Sequence, residues 1–346
     1  MVAFVPGSRI LVVGGADRLR FLHAVTAADV GGLTPGGGAF GALTDDRGRP
    51  VSSFHLYVLP EAVLLELPSG RAELAREALE RLVIADDVDL AWAEGGTVAY
   101  ESADASRLAA ILGSGREGRF IPPAEALLDV APGVGFADGP NEDELALVPA
   151  RREAVLRASR LGGHGALHWS RGDRAEELTR VAARRDPGVT IALGETERGP
   201  LEIEAGVLGD AELAEARVWN ELDAMDAVSL TKGCWMGQEI VRRVHVLGEV
   251  QRRRTGVVLD TPHGVGWEGA ALEGEDGAPA GVVTRAARSR TLGRTVAQAF
   301  VRRASWAPGS RLVAVRSDGA RAAATSAALP FVRRLERATS VESETP

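Results

Sequence analysis

Hydrophobic and polar positions over the first hundred residues alternate between the period of strands and that of helices. Residues 9–13 (RILVV) form a short β-branched run, and a turn leads to Asp17 as helix N-cap. Residues 71–86 form a periodic helix with Leu74, Ala78 and Leu82 on one stripe. The same strand-to-helix order is predicted again, with a strand and cap over 96–104 and a helix over 105–113. This pattern predicts an α+β fold, with helices packed on mostly antiparallel sheet.

The pattern changes twice further along the chain. Residues 114–150 are rich in loop signals, and helices are predicted over 151–162 and 171–185. From residue 250 onward, short strands divided by Gly, Pro and Asp predict a small antiparallel barrel or sandwich. The predicted division is therefore 1–248 for two α+β units that meet near 95–120, 249–333 for the barrel, and 334–346 for a flexible tail.

Composition limits the function classes. A chain of 346 residues has room for two or three domains. Its net charge of −8 argues against nucleic-acid binding through overall positive charge. The N-terminus has neither the basic region nor the long apolar region of a signal peptide, and no spanning segment is predicted. A single cysteine excludes an internal disulfide and indicates a reducing cytoplasm.

Residues 231–240 (TKGCWMGQEI) hold the only cysteine, Cys234, and the only lysine among 40 basic residues, Lys232. A thiol reacts as its thiolate, and a nearby cation favours that form. In an extended or turn backbone, side chains two positions apart face the same way, so Lys232 can activate Cys234 as a catalytic pair. The alternative is an incidental lysine on a loop beside a buried, inert cysteine.

The residues around this pair have properties that suit a small-molecule site. They are Gly233 and Gly237 for a tight backbone, Trp235 for stacking, and Gln238 and Glu239 for polar contacts. No metal site is predicted. His164 and His168 have a spacing that binds metal on a helix, but the surrounding glycines favour a strand or loop. Asp45 and Asp46 read as turn residues.

The segment Lys232–Glu239 resembles the K-G-C-aromatic-x-G-Q-E signature of the YgfZ-type folate-binding proteins, relatives of the glycine cleavage T-protein (aminomethyltransferase). Residues 10–30, 201–206 and 280–303 resemble further segments of that family in order. The resemblance implies a three-part cloverleaf around a central channel for tetrahydrofolate, with two α+β units and a C-terminal β-barrel.

The resemblance also assigns a role to Glu204 in LEIEAG, which matches the family glutamate that faces the pterin. A carboxylate suits the adjacent N–H donors of the 2-amino-4-oxo edge. Glu202 replaces the family's arginine, and on a strand Glu202 and Glu204 would share a face. The basic run Arg252–Arg254 is predicted to lie on a solvated strand edge, in preference to contact with nucleic acid. A third alternative is that Arg242, Arg243 or this run contacts the glutamyl tail of a folate.

Ser52 and Ser53 stand where aminomethyltransferases carry an acidic pair. A serine does not supply the carboxylate that steers proton transfer. The resemblance therefore favours a cytoplasmic folate-binding protein that supports iron–sulfur client proteins, with an indirect role in tRNA modification and without direct nucleic-acid or membrane contact. Two alternatives stay open: a folate-dependent aminomethyl or methyl transferase, and a non-catalytic interaction protein without folate.

Overall fold

The computed structural model describes residues 2–4, 6–102, 134–137, 153–157, 164–170, 175–192, 194–248 and 250–332. As far as residue 102, the elements are β1 (Val2–Phe4), β2 (Ser8–Gly14), α1 (Arg18–Val25), β3 (Gly38–Thr44), β4 (Pro50–Val58), β5 (Val63–Pro68), α2 (Ala72–Glu80), β6 (Asp89–Trp92) and β7 (Gly96–Ser102). They are followed by β8 (Val134–Ala137), β9 (Glu153–Arg157), β10 (His164–Ser170), α3 (Ala175–Arg185), β11 (Thr190–Ala192), α4 (Glu195–Glu204), α5 (Asp210–Glu215) and α6 (Gln238–Leu247). The last strands are β12 (Arg252–Leu259), β13 (Ala271–Gly274), β14 (Pro279–Arg288), β15 (Thr295–Arg302), β16 (Arg311–Val315) and β17 (Arg321–Ala327).

The first unit is a five-stranded antiparallel sheet in the order β3-β4-β5-β2-β6, with α1 and α2 packed on it. The predicted strand over 9–13 and the helix after Asp17 are confirmed by β2 and α1. The stripe predicted over 71–86 is confirmed at Ala78 and Leu82, which are partly buried against this core, and is wrong at Leu74. Ala72, Ala75 and Leu79 face the core, and Leu74 is 48% exposed.

The second sheet has the order β11-β1-β7-β10-β9-β8, with one parallel pair, β1 with β11. The helix predicted over 151–162 is wrong for Glu153–Arg157, which forms β9 between β8 and β10. Sheet pairing overrides the local helix preference of EAVLR, because propensity is a weak prior against tertiary context. The helix predicted over 105–113, most of the 114–150 loop region and the 334–346 tail lie outside the described residues.

The C-terminal strands close into an antiparallel barrel in the order β12-β15-β14-β13-β16-β17. The molecule is therefore α+β with a closed six-stranded barrel. The sequence pattern predicted α+β followed by a barrel or sandwich, and the structure confirms the barrel that the family resemblance implied. Strand β15 is buried on both faces. Ala297, Ala299 and Val301 lie in the barrel core, while Phe300 and Val296 pack against residues outside the barrel.

An apolar cluster joins the barrel to the first sheet. Trp219 is fully buried at its centre, with Phe300 from β15, Ala42 from β3 and Trp235 around it. Two 3-10 helices, Trp219–Leu222 and Met225–Ala227, carry this connection. The cluster fixes how the barrel sits against the sheet, and a cavity lies beside it.

Candidate functional site

The central cavity has a volume of about 660 Å³ and lies between the first sheet, the α4–α5 region and the barrel. Small-molecule sites in proteins commonly have volumes of about 300–1,000 Å³. Residues from strands β3, β4 and β5 form one wall. Residues from α4, the 3-10 segment and strands β12 and β14 form the others. The cavity is thus assembled from distant parts of the chain.

The sheet wall combines aromatic and polar groups. Phe40 and His55 are direct cross-strand partners, and their ring centroids lie 5.0 Å apart at 35°. Glu66 lies opposite His55 on the next strand. Its carboxylate is buried and accepts hydrogen bonds from Ser8 Oγ at 2.6 Å and Tyr57 OH at 3.3 Å. This wall offers a flat apolar surface beside a held carboxylate.

The opposite wall contains an alternating network of arginines and glutamates. Arg198 Nε lies 3.0 Å from Glu202 Oε1, and Arg285 Nη1 lies 3.5 Å from Glu202 Oε2. Arg285 Nε also contacts Glu212 at 2.9 Å. Burial would raise the pKa of Glu212, but the charge of Arg285 and hydrogen bonds from Thr284 and Arg285 lower it. Glu212 therefore remains a carboxylate that orients Arg285 at the cavity.

Arg254 is a buried cation at the barrel side of the cavity. Its Nε donates to Leu222 O at 2.7 Å, and its Nη1 donates to Gly206 O at 2.7 Å and to Gln298 Oε1 at 2.9 Å. Burial lowers the pKa of Arg254 to about 10, with the charge of Glu212 opposing that shift. Arg254 is therefore still charged at pH 7, and it contributes positive potential to the cavity.

Asp223 and Asp226 supply carboxylates to the same cavity. Asp223 has left-handed backbone angles, φ 53° and ψ 43°, which are uncommon for a residue other than glycine. Trp219 Nε1 donates to Ala224 O at 2.9 Å, and Arg254 holds Leu222 O, so the loop is fixed on both sides of Asp223. Within the part of the chain that the structure describes, both side chains are exposed and make no hydrogen bond or close ion pair, and both attract the Arg254 cation electrostatically. They are available to a ligand.

The Lys232 side chain is bound to the backbone of the first unit. The Lys232 ammonium is almost fully buried and donates to the backbone oxygens of His23 and Ala28, the latter at 2.9 Å. Burial lowers its pKa to about 8, and the charge of Asp29 opposes that shift. Within the described chain, no hydrogen bond joins the Lys232 ammonium to the exposed Cys234 thiol. The ammonium is thus bound to the first unit, and the activation of Cys234 by Lys232 stays a prediction that no direct contact among the described residues supports.

The remaining residues of the motif lie outside the central cavity. Trp235 is 6% exposed, belongs to the Trp219 cluster and donates from Nε1 to Ser229 O at 3.2 Å, so its ring is core and does not face a ligand. Gln238 and Glu239 begin α6, where exposed Glu239 pairs with Arg243 at 2.8 Å. Gly233 and Gly237 also do not line the cavity. The predicted cofactor contacts of this motif are not formed with this cavity.

Gly237 has a packing role instead. Its φ of +80° favours glycine, and a Cβ there would lie 2.4 Å from Asp45 O. Gly233 has open space around it. The turn at Asp45 is confirmed: its Oδ1 accepts from the backbone N–H groups of Arg47 and Arg49. Gly237 is thus the point at which α6 meets that turn.

Glu204 is also placed differently from the prediction. It ends helix α4, is 1% exposed and accepts hydrogen bonds from Ser289 Oγ at 2.6 Å and Thr291 Oγ1 at 2.9 Å. Residues two apart on a helix point about 200° apart, so Glu202 and Glu204 do not share a face. Glu202 lines the cavity and Glu204 does not. The expected pterin contact of Glu204 is corrected to an anchor for the barrel.

Comparison with known proteins gives the relationship. Residues 252–333 match the family described as the glycine cleavage T-protein C-terminal barrel domain. The chain is 29% identical over 342 residues to the mitochondrial aminomethyltransferase of Gallus gallus, which covers 92% of this chain and 78% of that protein. This chain is a relative of the glycine cleavage T-protein.

A solved structure has the same fold as this T-protein relative. The crystal structure of the glycine cleavage system aminomethyltransferase T from Bartonella henselae superposes with a TM-score of 0.77. The superposition covers 96% of this chain and 86% of the Bartonella henselae chain, and the sequence identity is 19%. At that identity the likeness shows the fold alone.

Other predicted features of the T-protein relative can now be placed. His164 and His168 lie on strand β10, and the described residues hold no group of three or more His, Cys, Asp or Glu side chains suited to a metal. The exposed-edge interpretation of 252–254 is wrong at two positions: Arg252 pairs with Glu215 and Glu221, and Arg254 is buried at the cavity. No helix of the described ranges is long and apolar enough to span a membrane.

Sequence reasoning missed most residues of the cavity wall. Alternation along β4 could have placed Ser53 and His55 on one face. Nothing local to the sequence indicated that Asp223 or Arg285 would reach the same space. Those contacts depend on how the barrel and the α4–α5 region close over the first sheet.

Proposed function

We propose that this T-protein relative binds a reduced folate such as tetrahydrofolate in the central cavity, without classical aminomethyl transfer, and supports iron–sulfur client proteins. The observation that carries the folate proposal is a 660 Å³ cavity at the junction of the first sheet and the barrel, lined by aromatic rings and by charges of both signs. Pockets of this size and mixed lining suit planar, polar ligands.

The residues present fit the chemistry of a folate. Asp223 and Asp226 carboxylates suit the N–H donors of the pterin edge, since an ionised carboxylate accepts two parallel hydrogen bonds. Phe40 with His55 offers a face for the planar ring system. Arg198, Arg254 and Arg285 are cations that suit the carboxylates of a glutamyl tail. In this assignment the pterin is held by Asp223 and Asp226, and Glu204 has no contact with it.

The absence of an acid at Ser52 and Ser53 separates this site from the aminomethyl-transfer chemistry of its relatives. Ser53 lines the cavity, and Ser52 Oγ donates to Ser53 O at 2.8 Å. A serine hydroxyl does not release a proton near neutral pH, so neither residue exchanges a proton with a bound amine as a carboxylate does. The folate would then act as a bound effector of the protein.

The support of iron–sulfur enzymes rests on Cys234. Its thiol is exposed, outside the cavity, where a partner can reach it. One thiolate does not hold a cluster by itself, because clusters need several ligands. Cys234 would therefore engage a client transiently, and any effect on tRNA modification would pass through such clients.

A folate-dependent transferase is the second candidate, and one observation favours it. Glu66, Asp223 and Asp226 line the same cavity as Ser53, so the site does contain carboxylates other than the missing pair. Any of them within reach of a folate nitrogen could move a proton in place of the family acid. The relative from Gallus gallus carries the name aminomethyltransferase.

Calorimetric titration of tetrahydrofolate into the full chain under anaerobic conditions tests the proposal. We expect one binding site, and Asp223→Ala should weaken binding about tenfold or more, since a charge-assisted hydrogen bond contributes about 1.5–3 kcal/mol. Asp318→Ala, an exposed aspartate of the barrel, is the matched control and should bind as the wild type does. Absence of binding by the wild type would refute the folate proposal and favour an interaction protein.

Two further arms of that experiment separate the remaining candidates. Turnover of tetrahydrofolate with a methylamine-type donor by the wild type would establish the transferase. In cells that carry Cys234→Ser in place of the wild type, we expect the activity of iron–sulfur enzymes to fall. The purified variant should bind folate as the wild type does. Unchanged enzyme activity in those cells would remove the client-protein half of the proposal.

A further inference from the structure

Three segments far apart in sequence form one surface next to Cys234. Trp219 N donates to Gly48 O at 2.9 Å, which joins the 3-10 segment to the turn between β3 and β4. Thr44 Oγ1 donates to Met236 O at 2.6 Å, and Gly237 packs on Asp45 O. The turn, the start of the 3-10 helix and the first half of α6 are therefore fixed relative to one another.

Exposed arginines lie in the turn, just before the 3-10 helix and in the first half of α6. We call the surface made by Arg47, Arg49, Arg217, Arg242 and Arg243 the arginine face. Arg243 pairs with Glu239, an exposed pair that contributes little. The other four guanidinium groups make no ion pair and no side-chain hydrogen bond within the ranges that the structure describes.

The charge of this face is opposite to that of the chain as a whole. The carboxylates on the same segments are those of Asp45, Asp46, Glu221 and Glu239, and Glu221 is paired with Arg252. The Asp45 carboxylate accepts hydrogen bonds from the backbone of its own turn, and the Glu239 carboxylate forms an ion pair with Arg243. The chain carries a net charge of −8, so a positive surface is a local departure from its average.

Apolar side chains accompany the arginines. A shallow groove of about 470 Å³ runs along α6 and is lined by Arg242, Arg243 and Val246 together with Gln238 and Glu239. Val246 is 66% exposed and Met236 is 37% exposed. Arginine and methionine are enriched at protein interfaces, and an arginine fork binds carboxylates in a bidentate manner.

We propose that the arginine face docks an acidic segment of a partner protein, with glutamates or aspartates on the guanidinium groups and an apolar side chain against Val246. This inference stands apart from folate binding. Single-stranded nucleic acid is disfavoured as the occupant because binding it uses aromatic stacking surfaces. The aromatic rings of these segments, Trp219 and Trp235, are buried.

Fluorescence anisotropy tests the docking surface on the full chain, with a fluorescein-labelled peptide of glutamates interspersed with leucines as the probe. We expect binding that weakens as salt rises from about 50 to about 200 mM, since exposed charges are screened. The double variant Arg47→Glu with Arg242→Glu should weaken binding at least about tenfold. The thermal unfolding of this double variant should match that of the wild type, since Arg47 and Arg242 are both exposed.

The matched control reverses two exposed arginines elsewhere. Arg290→Glu with Arg294→Glu, between β14 and β15, makes the same change in net charge and should leave peptide binding within about twofold of wild type. Equal loss in both double variants would show attraction to overall charge and would overturn the proposal. It would also be overturned if the wild type did not bind the peptide, or if a labelled single-stranded RNA bound the arginine face more tightly at the same salt.

Discussion

At the scale of the residue, Lys232 shows how a rare side chain can be structural. The chain uses arginine, which carries a wide planar fork, at every other Lys or Arg position, whereas lysine carries a compact point charge. The compact Lys232 ammonium fits between the backbone oxygens of His23 and Ala28 and ties the motif to the first unit. This contact gives the lysine a structural role.

Lys232→Met should lower the free energy of unfolding at pH 7 by about 1–3 kcal/mol, because the buried carbonyl oxygens lose their donor. The folded-state pKa of Lys232, about 8, lies below its usual value of 10.5. Between these values the unfolded chain binds more protons, so this lysine makes wild-type stability rise with pH. The difference between wild type and variant should therefore widen from pH 8 to pH 10.5 in urea unfolding. A difference that narrows in that window would contradict the assignment.

At the scale of the element, the junction between α6 and the Asp45 turn explains one glycine of the motif and leaves the other without a structural role. Gly237 begins α6 at φ +80° with Asp45 O against it, while Gly233 has no neighbour within 4 Å of a Cβ. Two glycines with the same appearance in sequence thus differ in consequence, because only one of them meets another element.

Gly237→Ala should destabilise the chain by about 1–3 kcal/mol, since a left-handed backbone and a close contact both oppose the added Cβ. Gly233→Ala is the matched control and should change stability by less than about 1 kcal/mol in either direction. Thermal unfolding of the two variants side by side measures the contrast. Equal melting temperatures would mean that the turn does not restrict α6.

At the scale of the whole molecule, the barrel is attached by buried polar and apolar contacts that also form the cavity. Strand β15 packs inward on the barrel core and outward on the Trp219 cluster. Glu204 joins α4 to Ser289 and Thr291 of the barrel, while Glu202 on the other side of that helix lines the cavity. Attachment and binding therefore share one helix but use different residues.

Glu204→Ala separates these two roles. It should lower the free energy of unfolding by about 3 kcal/mol or more, because two hydrogen bonds to a buried carboxylate are lost. Tetrahydrofolate affinity, measured by calorimetry well below the melting temperature, should stay within about twofold of wild type. Loss of binding without loss of stability would instead restore Glu204 as the pterin contact.

The sequence by itself determined the elements and their classes. Apolar periodicity located β2, α1 and four of the six barrel strands, and the motif around Cys234 indicated the family before any contact was known. These properties are local, because a hydrophobic period or a short motif is contained within a few consecutive residues. The prediction from local sequence failed at Glu153–Arg157, where pairing with two neighbouring strands decided the conformation.

Only the tertiary structure decided the site. It directed Lys232 to His23 and Ala28, turned Glu204 towards the barrel, and brought Asp223 and Arg285 into the cavity with the sheet. The direction of a side chain at such a junction depends on which distant segment packs against it. Burial and hydrogen bonding over the whole molecule determine that packing, so the local sequence pattern does not predict the direction of these side chains.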